Sequence, residues 1–147
     1  MKSKSTIEEE ASRIEVIRSS RSPYFSLCSR REAELAARKL LSLLELDHLR
    51  LELYLTGDME IMELNYSFLG LVGPTNVLSF PADKEDDFLG SIVASLQAVS
   101  REAHLYGQSE TAHFLRMLAH SILHLAGYEH GPLMDEITEQ AALSLEV

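Results

Sequence analysis

Cysteine is scarce in this sequence: one residue, Cys28, in 147. A lone cysteine excludes an intramolecular disulfide and suits a reducing compartment. No histidine lies near it in sequence, so Cys28 reads as a spectator rather than a nucleophile. No apolar run reaches the ~20 residues of a membrane-spanning helix, and the N-terminal residues lack the apolar core of a secretory signal. A cytoplasmic location is therefore expected, with neither a membrane nor a disulfide partner. Basic residues are also scarce in the C-terminal part. Residues 51–147 hold three Lys/Arg against fifteen Asp/Glu, whereas residues 1–50 hold ten against eight. That balance, −10 overall, argues against loose, charge-driven binding of nucleic acid. It leaves room for RNA held by a basic N-terminal face formed by Arg13, Arg18, Arg21, Arg30 and Arg31, a cluster that otherwise reads as solvated surface.

The remaining composition, 46% hydrophobic and 24% charged, is that of a soluble globule. The length predicts one domain over 1–147, with a frayed, acidic start at about 1–12.

Histidine is concentrated. Three of the six fall in the eleven residues His120-Ser-Ile-Leu-His124-Leu-Ala-Gly127-Tyr-Glu-His130. His120 and His124 are four apart, so a helix stacks them on one face with about 5–6 Å between Cβ atoms. Gly127 is placed to end that helix in a left-handed turn, which can return His130 to the same point. Three imidazoles converging in this way make a ligand set for a borderline metal, zinc above all, one ion per chain, with a fourth position open for water. The spacing H-x-x-x-H-x-x-G-x-x-H is shared with the metzincin proteases. Those enzymes carry a glutamate base beside the first histidine, and here that position is Ser121. A serine does not accept a proton from water at neutral pH, so a peptidase using that base is not supported. His48, His104 and His113 read as surface or packing residues.

Hydrophobic periodicity places the elements. Residues 14–17 are a short β-branched strand broken by Ser22-Pro23. Ser29 and Glu32 form a capping box for a helix over 30–46, with Leu35, Leu40, Leu43 and Leu44 as its apolar stripe. Alternation of Leu49, Leu51, Leu53 and Leu55 with polar residues predicts a half-buried strand. A capped turn at Thr56-Gly57-Asp58 opens a helix over 59–68, followed by a loop over 70–74. Strands over 77–80 and 88–93 form a hairpin around an acidic turn at 82–87. Helices follow over 95–106, 109–126 and 134–145. The second is capped by Ser109 and buried through Phe114, Leu115, Leu118, Ile122 and Leu125.

The histidine stretch resembles the signature of the YbeY family, bacterial rRNA maturation factors described as zinc-dependent endoribonucleases. Glu63-Leu64-Asn65, Pro74-Thr75-Asn76-Val77-Leu78-Ser79-Phe80-Pro81 and Leu89-Gly90-Ser91-Ile92-Val93 resemble that family's other blocks, in the same order. The resemblance runs over residues 14–147. It implies an α+β fold, a small mixed four-stranded sheet packed with about five helices, and a three-histidine metal site of His120, His124 and His130 at a helix end and the following turn. It also implies cleavage of single-stranded RNA, including rRNA precursor ends, and a link to the small ribosomal subunit. The chain departs from the family pattern at Leu69, where an arginine is usual, and at Asn76 and Ser91, where aspartates are usual. Glu129 replaces a further aspartate. An arginine at 69 would clamp phosphate, and Lys84 or an N-terminal arginine could take that part. The alternative to a nuclease is a ribosome-assembly factor with a structural metal and weakened catalysis.

Overall fold

The computed structural model describes residues 14–19, 29–71, 75–83 and 87–145. The expected frayed start, Arg13, Arg21, the break at Pro23, Cys28, Gly73-Pro74 and Lys84 lie outside the described residues. The elements run β1 (Ile14–Arg18), α1 (Arg30–Leu43), β2 (Arg50–Thr56), α2 (Asp58–Leu69), β3 (Val77–Pro81), β4 (Phe88–Ser95), α3 (Leu96–Leu105), α4 (Glu110–Leu125) and α5 (Pro132–Leu145). The strands form one mixed sheet in the order β1-β2-β4-β3. β1 and β4 each pair with β2 in parallel, and β3 pairs antiparallel with β4 as the expected hairpin. This is the α+β architecture.

The alternating leucines of β2 decide which way the sheet faces. Leu51, Leu53 and Leu55 point with Ile14, Val16, Ile92 and Ala94 into the main core, under α1, α3, α4 and α5. On the opposite face, Leu78 and Val93 pack with Ile61 of α2, flanked by Tyr54, Leu64 and Phe80. The two faces follow from the period of two along each strand.

α4 is the helix around which the rest is laid. It touches β3, β4, α1, α3 and α5. Its apolar side, Phe114, Leu115, Leu118, Ile122 and Leu125, is buried as its 3.6-residue period requires. Ser109 caps it, accepting from the Ala112 amide at 3.0 Å.

Several boundaries, one cap and one stripe differ from the sequence reading. α1 has the expected capping box and ends at Leu43, but its buried stripe is Ala33, Ala37, Leu40 and Leu41, while Leu35 and Leu43 are 43% and 50% exposed. Small alanines at positions 33 and 37 let the α1 backbone approach its neighbours closely, and this outweighs the pull of the leucines. α2 has no side-chain cap at Gly57; the Asp58 amide is instead satisfied by Gln97 of α3 at 2.8 Å, a cap brought from another helix. β4 continues to Ser95, whose hydroxyl also caps α3 by accepting from Ala98. α5 starts at Pro132, because proline's missing N–H and fixed φ suit the first helical position.

A histidine cluster at the end of α4

The end of α4 is built by backbone hydrogen bonds. The Tyr128 amide donates to the Leu123 carbonyl and the Gly127 amide to that of His124, both at 3.1 Å. This is a complete Schellman turn. Gly127 takes φ +96 with open space where a Cβ would stand, so glycine is required there by conformation and not by crowding.

The turn brings the three predicted histidines together. The His120 and His130 ring centroids are 5.0 Å apart and those of His124 and His130 5.5 Å, each pair inclined by 37°. Three imidazoles around one tetrahedral ion, with metal–nitrogen bonds of about 2.0–2.1 Å, hold their centroids roughly 5 Å apart. The two pairs that His130 makes, with His120 and with His124, stand near that spacing. Among the described residues, no group of three or more His, Cys, Asp or Glu side chains has its donor atoms set for an ion in this arrangement. Burial lowers the His120 pKa from its ordinary value, helped by His130 and His124 and opposed by Asp135. Its ring thus favours the neutral form that a metal ligand needs. Ser121 is buried, with its hydroxyl donating to the Met117 carbonyl at 2.9 Å, so it stands in the core.

A cleft of about 400 Å³ opens beside His120, lined also by Asn76, His113, Arg116, Asp135 and Glu139. Of the four positions that depart from the family pattern, Leu69, Asn76, Ser91 and Glu129, Asn76 alone lines it. Leu69 is 52% exposed at the end of α2. Ser91 lines a separate, largely apolar groove on the α2 side of the sheet. Both replacements for aspartate donate to a glutamate: Asn76 Nδ2 to Glu102 Oε2 and Ser91 Oγ to Glu52 Oε2, each at 3.1 Å.

Glu102 ties the cleft wall together, since the same Oε2 also meets His113 Nε2 at 2.8 Å. A carboxylate only accepts, so Asn76 must turn its amide nitrogen toward it. Asn76→Asp would set two carboxylates about 3 Å apart and is expected to cost about 1–2 kcal/mol, a fall of roughly 2–8 °C in Tm. Adding Glu102→Gln should restore most of the loss. Thermal unfolding at neutral pH checks this, and an unaltered Tm in the single variant would show that the pairing carries no weight.

Sequence reasoning missed Glu102, Arg116 and Asp135, and took His113 for a bystander. A signal existed for two of them: 113, 116, 120 and 124 recur at three and four residues, one face of one helix. Glu102 and Asp135 arrive from other helices and left no such mark.

A family model described as Endoribonuclease YbeY matches residues 25–143. A protein named Endoribonuclease YbeY from Oleidesulfovibrio alaskensis is 42% identical over 134 aligned positions, spanning 76% of this chain and 79% of its own length. Another of that name, from Lawsonia intracellularis, is 41% identical over 109, spanning 74% and 80%. A solution structure of a Thermotoga maritima protein matches with a TM-score of 0.65 at 27% identity, covering 88% of this chain and 86% of that one. The matched stretch contains α4, the Schellman turn and the β3–β4 blocks, and the chain belongs to the YbeY family.

Proposed function

We propose that this protein is a metal-dependent endoribonuclease of rRNA processing, acting on single-stranded RNA, with one zinc ion held by His120, His124 and His130. The observation that carries the reading is the ring contact of His130 with both His120 and His124, beside a cleft that His120 lines. The relatives' name, Endoribonuclease YbeY, supplies the reaction class. A zinc ion there would supply Lewis-acid chemistry, polarising a phosphoryl oxygen and making water nucleophilic at neutral pH. The chain's own part is to bind and orient. Burial shifts His120 toward its neutral form, Asn76 and His113 are fixed by Glu102, and Arg116 places positive charge at the wall. Burial of Ser121 in the core gives the peptidase reading no base. The described helices include none long and apolar enough to cross a membrane.

One observation favours a second reading, a factor that binds the small ribosomal subunit with weakened catalysis: exposed Leu69 offers no charge to phosphate. The two readings separate in one experiment. Protein with its metal content measured is assayed on single-stranded RNA before chelation, after it, and after zinc is restored. Cleavage that disappears and returns, with zinc near one per chain, supports the nuclease. Bound zinc without cleavage supports the assembly factor, and cleavage indifferent to chelation sinks the metal-dependent mechanism.

A further inference from the structure

We propose that Arg116 binds a backbone phosphate of the RNA strand at the wall of the histidine cleft. The assignment rests on the endoribonuclease reading and adds the residue that would hold the strand. An RNA chain brings one negative charge per nucleotide to a protein of net charge −10, so the strand needs a local cation. Among the residues lining the cleft, Arg116 is the one lysine or arginine. It precedes His120 by four residues on α4, so helix geometry stacks the two on one face, one turn apart. Position 69, where the family pattern has its arginine, does not line this cleft.

The guanidinium is oriented before any strand arrives. Its Nε and Nη2 donate to the two carboxylate oxygens of Glu139, and Nη1 donates to Gln108 Oε1. A guanidinium carries five N–H donors. Three are committed, and two remain for phosphate oxygens. Its side chain is 27% exposed and that of Glu139 is 50% exposed, so the pair is partly solvated and adds little to stability. The other carboxylate of the cleft, Asp135, acts on His120. A planar fork anchored on one side and open on the other is suited to phosphate, and a lysine could not reproduce it.

The test is the salt dependence of RNA binding, which a purely structural residue does not move. A fluorescent single-stranded RNA is titrated with protein in chelator, over a series of salt concentrations, for the wild type, Arg116→Gln, Arg116→Lys and Lys39→Gln. The last removes the same charge from the exposed side of α1. Arg116→Gln is expected to bind on the order of tenfold more weakly, with the slope of log affinity against log salt shallower by about 0.7, one single-strand phosphate contact. Arg116→Lys should recover the slope but not all the affinity, and Lys39→Gln should leave both as they were. Wild-type affinity and slope in a folded Arg116→Gln would overturn the assignment. So would an equal change in Lys39→Gln, which would mean diffuse charge. If the wild type cleaves RNA while Arg116→Gln matches it, only this assignment falls. If the wild type neither binds nor cleaves RNA, the endoribonuclease reading falls with it.

Discussion

His124→Ala is expected to lose its zinc and at least about a thousandfold in RNA cleavage, with little change in the Tm of the metal-free protein. His124 is exposed on the last turn of α4, and surface substitutions typically shift stability within about 0.5 kcal/mol. Alanine also favours helix over histidine at such a position. The structural cost is therefore small. The chemical cost is large, because two imidazoles leave an ion short of a ligand and free to exchange. Changing only a partner of a ligand already costs about 10–100-fold in metal affinity or activity. Calorimetry with and without zinc gives a second readout. A ligand that binds only the folded state raises Tm by mass action, so added zinc should raise the wild-type Tm and leave that of the variant in place. A His124→Ala protein that keeps one zinc per chain and full cleavage would remove His124 from the site. His104, 81% exposed and 3.7 Å from Glu110, is the matching control, and its alanine variant should behave as the wild type.

The second large effect is on stability. Gly90→Ala is expected to cost about 3 kcal/mol, a fall of roughly 6–12 °C in Tm. Gly90 lies in β4 opposite Pro81 of β3, at φ +147. A Cβ there would meet the Phe80 carbonyl oxygen at 2.5 Å, Leu125 Cδ2 at 2.9 Å and the Pro81 Cα at 3.2 Å. The leucine tip can move, but the two backbone atoms belong to the paired strand and cannot move without opening the ladder. Leu125 is the last residue of α4 and neighbours His124, so relief by displacing it disturbs the histidine turn as well. The variant should therefore lose zinc affinity together with stability. A Tm within a degree or two of wild type would show that the hairpin yields more easily than its packing indicates.

Local signals were legible in the sequence because they are local. Ser29 and Glu32 announce the start of α1, Gly127 the end of α4, and the leucine alternation of β2 its buried face. The histidine cluster was legible for the same reason, since all three rings come from eleven consecutive residues and one turn motif. The cleft wall was not. Asn76, Glu102 and His113 meet from a loop and two helices, and Glu139 reaches Arg116 from α5; no spacing rule encodes such meetings. The stripe of α1 failed for a related reason. Ranking by hydrophobicity favours Leu35 and Leu43, but close approach of the backbone favours Ala33 and Ala37, and that choice depends on what lies across the interface. The parallel neighbours of β2 likewise depend on pairings between distant segments.

The two donors that replace aspartates have a consequence for how this chain compares with its relatives. A position-by-position comparison scores Asn76 and Ser91 as lost charges. In space, each donates to an acid one side chain away, Glu102 from α3 and Glu52 from the adjacent strand, so negative charge stays beside both positions. Substitutions at 76 and 102, and at 91 and 52, are then expected to travel in pairs. Placing aspartate at 76 or 91 in this chain while its partner glutamate remains would bring two carboxylates face to face.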